Sequence, residues 1–349
     1  MCITKIEYSS IALSRSVVTL PEFKKEASPL VIDFLCSRFP NISRELWLKR
    51  IESGKVLDHN KRALNIESRC VPCSKIYYFR EVASEPVIPF KESIIFQNDH
   101  LLVADKPHFL PVTPSGKYVN QSLLNRLKIR TGIDEISPIH RIDRETAGLV
   151  LFSVDKKSRA LYQKMFMDGT VKKRYLALTH CSDRMFEKFV LQKRLDARWS
   201  IKNRIIQGEP WFRMKIDNQG EINAVTEAEI IGIMKLDNKR LSINNTLNPS
   251  FAAIFRLFPK TGKKHQLRLH LSSIGFPIIN DRLYPELMPE ETQINFANPL
   301  KLLAQQIEFN DPVSGGYMEF KSSFSIIDHE SENHIYGNDI TLGTDLIKF

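Results

Sequence analysis

The chain has 349 residues, 42% hydrophobic and 26% charged, with 50 lysines and arginines against 40 aspartates and glutamates and a formal net charge of +10. This composition supports a packed core and is not that of a disordered chain; the length suits about two domains. No run of about 18 apolar residues occurs, which excludes a membrane-spanning helix, and the basic surplus fits an anionic partner, nucleic acid before acidic lipid, or equally an idle basic surface.

The opening MCITKIEYSS lacks the basic-then-apolar pattern of a secretory leader. The cysteines, Cys2, Cys36, Cys70, Cys73 and Cys181, are sparse and odd in number, as expected of a reducing cytoplasm. Cys70 and Cys73 form a C-x-x-C with no further ligand cluster, so no metal site is expected.

Residues Ser28 to Tyr78 read as a small module. Val31, Phe34, Leu35 and Phe39 fall at helical spacing, and Pro40 and Asn41 end that helix. Ser43 can cap a second helix, SRELWLKRIES, which Gly54 closes. KVLDHN and KIYYFRE read as short strands. The module carries Arg44, Lys49, Arg50, Lys55, Lys61 and Arg62, either a solvated face or a surface for backbone phosphates. EVASEPVIPF reads as a linker, and IIFQNDHLLVADKP as two strands joined at Asn98-Asp99.

The stretch HRIDRETAGLVLF places Asp143 among His140, Arg141 and Arg144, ahead of the apolar run Leu149 to Phe152. Thr146 and Gly148 suit a turn, so Asp143 is expected on a loop before a buried strand, as a structural ion-pair partner or a catalytic group. In VKKRYLALTH, three bases precede Tyr175, a core tyrosine or one that stacks a nucleobase. TGKKHQLRLHLSSIG reads as a helix with Lys264 and Arg268 one turn apart; His265 and His270 do not match the i, i+4 spacing of a zinc pair. Residues 329–349 read as a polar tail.

Two resemblances follow from these residues. SRELWLKRIESGKVL resembles an S4 RNA-binding domain, although the turn in VLDHNKRAL lacks the glycine usual there. Most of Ile94 to Ser322 resembles the RluA family of RNA pseudouridine synthases. HRIDRETAG matches H-R-L-D-x-x-T-S-G. VADKPHFLPVTPSG matches the D-K-P loop, with Phe109 where glycine is usual. KKRYLAL carries the family's tyrosine. TGKKHQLRLHLSSIGFPIINDRLY matches the basic motif, with Lys263 for arginine and Asn280 for glycine. LLAQQIEFNDPVSG resembles the closing segment.

The resemblance implies an α+β fold with a mixed, mostly antiparallel central sheet. It places an S4-like domain and linker in residues 1–87, a catalytic domain in 88–328 and the tail in 329–349. It implies isomerisation of uridine to pseudouridine in ribosomal or transfer RNA, with base flipping and no cofactor or metal. Asp143 is then the catalytic carboxylate, Arg268 its cation and Tyr175 the aromatic partner of the flipped base, with Arg144 filling the vacated stack. Further substrate or RNA contacts are expected from Lys106, Lys264, His265, Arg44, Arg50 and Lys55, and from His140, Arg141 and Thr146. Of these last three, His140 and Arg141 are expected to order the loop or touch phosphate, and Thr146 to stabilise the loop through its hydroxyl. The alternative is a non-catalytic RNA-binding protein on the same scaffold. A cytoplasmic location, no obligate protein partner and a monomer are the default expectations.

Overall fold

The computed structural model describes residues 10–11, 15–23, 28–82, 84–182, 197–235, 251–290, 293–327 and 335–336. The chain divides into one unit of residues 1–87 with 113–126 and another of residues 88–112 with 127–349.

The first unit holds β1 (Ser10–Ile11), β2 (Ser16–Thr19), α1 (Val31–Arg38), α2 (Arg44–Glu52), β3 (Val56–Leu57), β4 (Lys75–Tyr78) and β5 (Glu81–Val82). Strands β2, β4 and β3 form an antiparallel sheet, and β1 pairs with β5. The apolar faces read from the sequence meet here: Val31, Ile32 and Leu35 of α1 and Trp47 and Ile51 of α2 pack with Val56, Ile76 and Tyr78. Ser43 Oγ accepts the Leu46 N–H at 3.3 Å, the expected helix cap. In the glycine-free turn, Lys61 takes φ 65°, and the Asp58 carboxylate accepts the N–H groups of Asn60 and Arg62, both at 2.8 Å.

Several expectations fail in this unit. Arg50 is buried rather than phosphate-facing: its guanidinium lies 4.9 Å over the Trp47 ring and its Nε is 3.4 Å from Glu81 Oε2. Lys55 is tied to the same carboxylate; Arg44, by contrast, stays half exposed in a surface pair with Asp33 at 2.5 Å, which does not withdraw it from a phosphate. Glu81 therefore belongs to a buried ion cluster on β5, not to a linker. Residues 113–126, assigned to the catalytic domain by sequence, cluster with this unit instead. The reason is local: Glu85 Oε1 accepts the backbone N–H groups of Val119, Asn120 and Gln121 at 2.6, 2.7 and 2.5 Å.

The remaining elements are β6 (Ser93–Gln97), β7 (Leu101–Lys106), α3 (Leu123–Thr131), β8 (Ser137–Pro138), β9 (Ala147–Ser153), α4 (Lys156–Met167), β10 (Lys172–Cys181), β11 (Arg198–Gln207), β12 (Met214–Asp217), β13 (Ala224–Lys235), β14 (Phe251–Pro259), α5 (Gln266–Ser273), β15 (Leu302–Asn310), β16 (Tyr317–Lys321) and β17 (Ile335–Tyr336). Their sheet runs β12-β11-β13-β14-β10-β15-β9-β7-β6, with β16, β17 and β8 joined to β15, β13 and β9. Only β9 and β15 pair in parallel among the described strands. The fold is the mixed, mostly antiparallel α+β arrangement the sequence implies.

The register of this sheet lines up the motifs. Lys106 pairs with Gly148, Gly148 with Ala304, Ala304 with Tyr175, and Tyr175 with Leu257, so one row crosses β7, β9, β15, β10 and β14. Gly148 is a strand residue, not the turn residue expected. Its φ is 111°, and a Cβ there would lie 2.2 Å from the Ala304 carbonyl oxygen, so only glycine admits the close approach of β15. Leu101, Val103, Leu149 and Leu151 bury one sheet face against Tyr162 and Met165 of α4. Leu267 and Leu271 of α5 pack on Ala228, Phe255 and Leu257. The segment read as a polar tail contributes β17, where Ile335 and Tyr336 pair with Met234 and Ile233.

Candidate active site

The loop that carries Asp143 is pinned to β9. Ile139 N–H donates to the Leu151 carbonyl at 2.9 Å, and Leu151 N–H donates back to His140 Nε2 at 3.1 Å. The His140 ring stacks on Phe166 at 4.5 Å. His140 thus serves the loop as a neutral acceptor, and burial first, then the charge of Lys173, pulls its pKa down to about 3. It is not a phosphate contact. Lys106 is likewise misread as an RNA contact. It is fully buried, and its Nζ donates to the carbonyls of Pro107, Leu110 and Arg144 at 2.9, 2.7 and 3.1 Å. It ties the D-K-P loop to the Asp143 loop, and burial lowers its pKa to about 7.

Asp143 projects from this scaffold with its side chain 25% exposed, and its Oδ2 lies 3.5 Å from Nη1 of the buried Arg268. The sequence reading made this the principal ion pair of Arg268. The structure assigns that place to Asp281. Arg268 donates from Nε to Asp281 Oδ2 at 2.8 Å and from Nη2 to Asp281 Oδ1 at 2.7 Å. Asp281 Oδ1 also accepts the N–H groups of Leu283 and Tyr284 at 2.8 and 3.2 Å. The fork is therefore locked on one side, and its remaining nitrogen is presented to Asp143 and to Glu145, whose Oε2 lies at 4.0 Å. Burial alone would lower the Arg268 pKa; the Asp281 hydrogen bonds and then the charges of Asp281, Asp143 and Glu145 raise it overall.

Glu145 is a second acid that the reading of a lone carboxylate overlooked. Burial would raise its pKa, but Arg144 and then Arg268 bring it down to about 2. Arg144 Nε and Nη2 both donate to Glu145 Oε1, at 2.8 and 2.6 Å. Tyr284 was also missed. Its ring lies under the guanidiniums of Arg213 and Arg268, 5.2 and 5.6 Å from the centroid. Its hydroxyl is 3.0 Å from His265 Nδ1 and 2.7 Å from the Met214 nitrogen. The available signal was the I-N-D-R-L-Y run, which holds Asp281 as the only acid in a long basic stretch.

Of the other expected contacts, Thr146 is buried beneath the loop, its N–H donating to the Asp143 carbonyl at 3.2 Å. Arg141 is exposed. His265 caps α5 at φ 56°, and Lys264 is an exposed residue before the helix, not on it. Tyr175 lies mid-strand in β10, half-buried, and burial first, then the charge of Asp143, pushes its phenol pKa up.

The family model described as RNA pseudouridylate synthase matches residues 100–273, which include Lys106, Asp143, Tyr175 and Arg268. An uncharacterized RNA pseudouridine synthase of Helicobacter pylori is 33% identical over 224 residues, covering 62% of this chain and 68% of that protein. The chain belongs to the RNA pseudouridine synthase family. The dual-specificity RNA pseudouridine synthase RluA of Haemophilus influenzae is 29% identical over 68% of this chain and 96% of its own, which places the synthase in the RluA type. The solved structure of human RNA pseudouridylate synthase domain containing 1 shares the fold, with a TM-score of 0.53 at 18% identity over 73% of this chain and 92% of that one.

The synthase's departures from the family pattern now have a physical setting. Phe109 and Asn280, both where glycine is usual, take φ 66° and 63°. The backbone retains the left-handed turn that favours glycine. Phe109 packs between Phe90 and Phe296, with ring centroids 6.1 and 5.2 Å away. Asn280 is among the residues that tolerate this region, and its Nδ2 donates to the Pro299 carbonyl at 2.9 Å.

Three histidines of the synthase are held neutral by burial: His140 down to about 3, and His108 and His270 down to about 4. The unfolded chain binds these protons more readily, so their contribution is whole above about pH 6.5 and declines as the pH falls toward 4. Urea unfolding at pH 7 and pH 5 should show a loss on the order of 1–2 kcal/mol per histidine. An unchanged midpoint would mean that these rings titrate alike in the folded and the unfolded chain, and that burial does not hold them neutral.

Proposed function

We propose that the synthase isomerises a flipped uridine of ribosomal or transfer RNA at Asp143. In this reaction the N1–C1′ bond breaks, the uracil turns, and C5 joins C1′; the C5 proton leaves and N1 gains one, with no redox change. The observation that carries the reading is the presentation of Asp143, partly open to solvent, to the one guanidinium nitrogen of Arg268 that Asp281 leaves uncommitted. Asp143 acts as nucleophile or base, and Arg268 aims it. A uridine reaches it only by leaving the stack, at a cost of roughly a few kcal/mol; Arg144 fills the space left behind. Pseudouridine mapping of total RNA from cells with and without this gene tests the reading. A site lost with the gene supports it, and identical maps refute it.

Tyr175 supports the flipped base. Because burial and the Asp143 charge raise its pKa, it enters as a neutral hydroxyl rather than a phenolate. Tyr175→Phe should bind RNA normally and turn over about a hundredfold more slowly in single-turnover assays. Unchanged turnover would restrict the residue to stacking.

The first unit is proposed to act as an S4-like RNA contact through Lys49, Lys61 and Arg62, three exposed bases of the module. Replacing all three by alanine should weaken RNA binding and flatten its dependence on salt by up to about two to three in log–log slope. A slope that does not change excludes this face.

A further inference from the structure

The hairpin between β11 and β12 carries two aromatics where turn chemistry has no use for them. Gly208 N–H donates to the Arg213 carbonyl at 2.9 Å and Arg213 N–H to the Pro210 carbonyl at 2.8 Å. Trp211 and Phe212 thus occupy the centre of the turn, positions that ordinarily favour glycine, asparagine or aspartate. Trp211 is 73% exposed and Phe212 36% exposed, their rings 5.9 Å apart. A tryptophan left 73% exposed at a hairpin tip keeps most of its apolar surface in water, where a partner can cover it.

Two observations say what covers it. The Lys264 ammonium lies 5.8 Å over the Trp211 ring, so the aromatic face is paired with positive charge, and Lys263 beside it is also exposed. This pairing suits a base lying on the ring with its phosphate near the ammonium. The hairpin is also braced to the active-site side chains. Arg213 lies over the Tyr284 ring and donates to the Pro285 carbonyl at 3.0 Å, while Tyr284 contacts Arg268 and His265.

We infer that Trp211, with Lys264, is a stacking platform for an unpaired nucleobase of the substrate RNA beside the uridine that is modified. This rests on the proposed function for the identity of the RNA. The platform adds affinity and register, and it takes no part in bond breaking.

The 349-residue chain carries tryptophans at 47, 199 and 211, and Trp47 is fully buried while Trp199 packs on Phe255 and Phe276. Titration with RNA prepared from cells lacking the gene should quench tryptophan fluorescence, and Trp211→Phe should remove most of the quench. Trp211→Ala should weaken RNA binding about tenfold and raise KM to match, with turnover at saturating RNA preserved. Quenching and affinity unchanged in these variants, with pseudouridine still formed, would overturn the platform and leave the proposed function standing. A wild-type protein that is quenched through Trp211 yet forms no pseudouridine would keep the platform and overturn the reaction. If Trp211→Ala leaves RNA affinity alone but dissociates an oligomer in sedimentation, the hairpin meets a second copy of the chain and the inference fails.

Discussion

Asp143→Asn is expected to lower pseudouridine formation by at least about a thousandfold while the protein stays folded and still binds RNA. The size follows from the role: removal of the group that attacks or deprotonates cannot be made good by the rest of the site. The selectivity follows from the geometry. Among the described residues Asp143 makes one ion contact, at 3.5 Å, with its side chain 25% exposed, and partly exposed pairs of this kind contribute about 0–1 kcal/mol. The hydrogen bonds that hold Arg268 run to Asp281 and survive the change. Pseudouridine mapping, RNA titration and urea unfolding on the same preparation separate these effects. A variant that retains activity would remove Asp143 from the chemistry.

Arg268→Leu should also lose activity but, unlike Asp143→Asn, should cost stability as well. Asp281 is completely buried, and it would lose two charge-assisted hydrogen bonds while keeping its charge. Stranding one member of a buried pair costs about 3–5 kcal/mol, read as a fall in the urea midpoint. Combining Arg268→Leu with Asp281→Asn removes the stranded charge and should return part of that stability without returning activity, because Asp143 still lacks its cation. A single variant as stable as the parent would show that the Arg268–Asp281 pair does not organise the site.

These contrasts mark what could be read from the chain. The local placements of Asp143, Tyr175 and Arg268 were legible because each sits in a motif whose neighbours set its local structure: a loop before an apolar run, a strand after a basic cluster, a helix after a basic turn. Arg50 and Lys106 were not, since a charged letter does not tell whether its partner is water. Arg50 meets Glu81, which is 31 residues away, and Lys106 meets three backbone carbonyls, which have no letter at all. Asp281 was visible as a lone acid among bases, but its claim on Arg268 depends on the turn that aims its carboxylate. The mixed, mostly antiparallel character of the sheet was legible only through resemblance, and its strand order not at all, because alternation within a strand is silent about its neighbours.

The place of β15 between β9 and β10 has a consequence for biosynthesis. The strand following the Asp143 loop and the strand bearing Tyr175 are near neighbours in sequence, yet they do not pair with each other; Leu302–Asn310 lies between them. A nascent chain emerging from the ribosome would therefore carry both motifs for well over a hundred residues of synthesis with no means of joining them. Such distant pairing is slow to form, and it makes competence to modify RNA one of the last properties the growing polypeptide acquires.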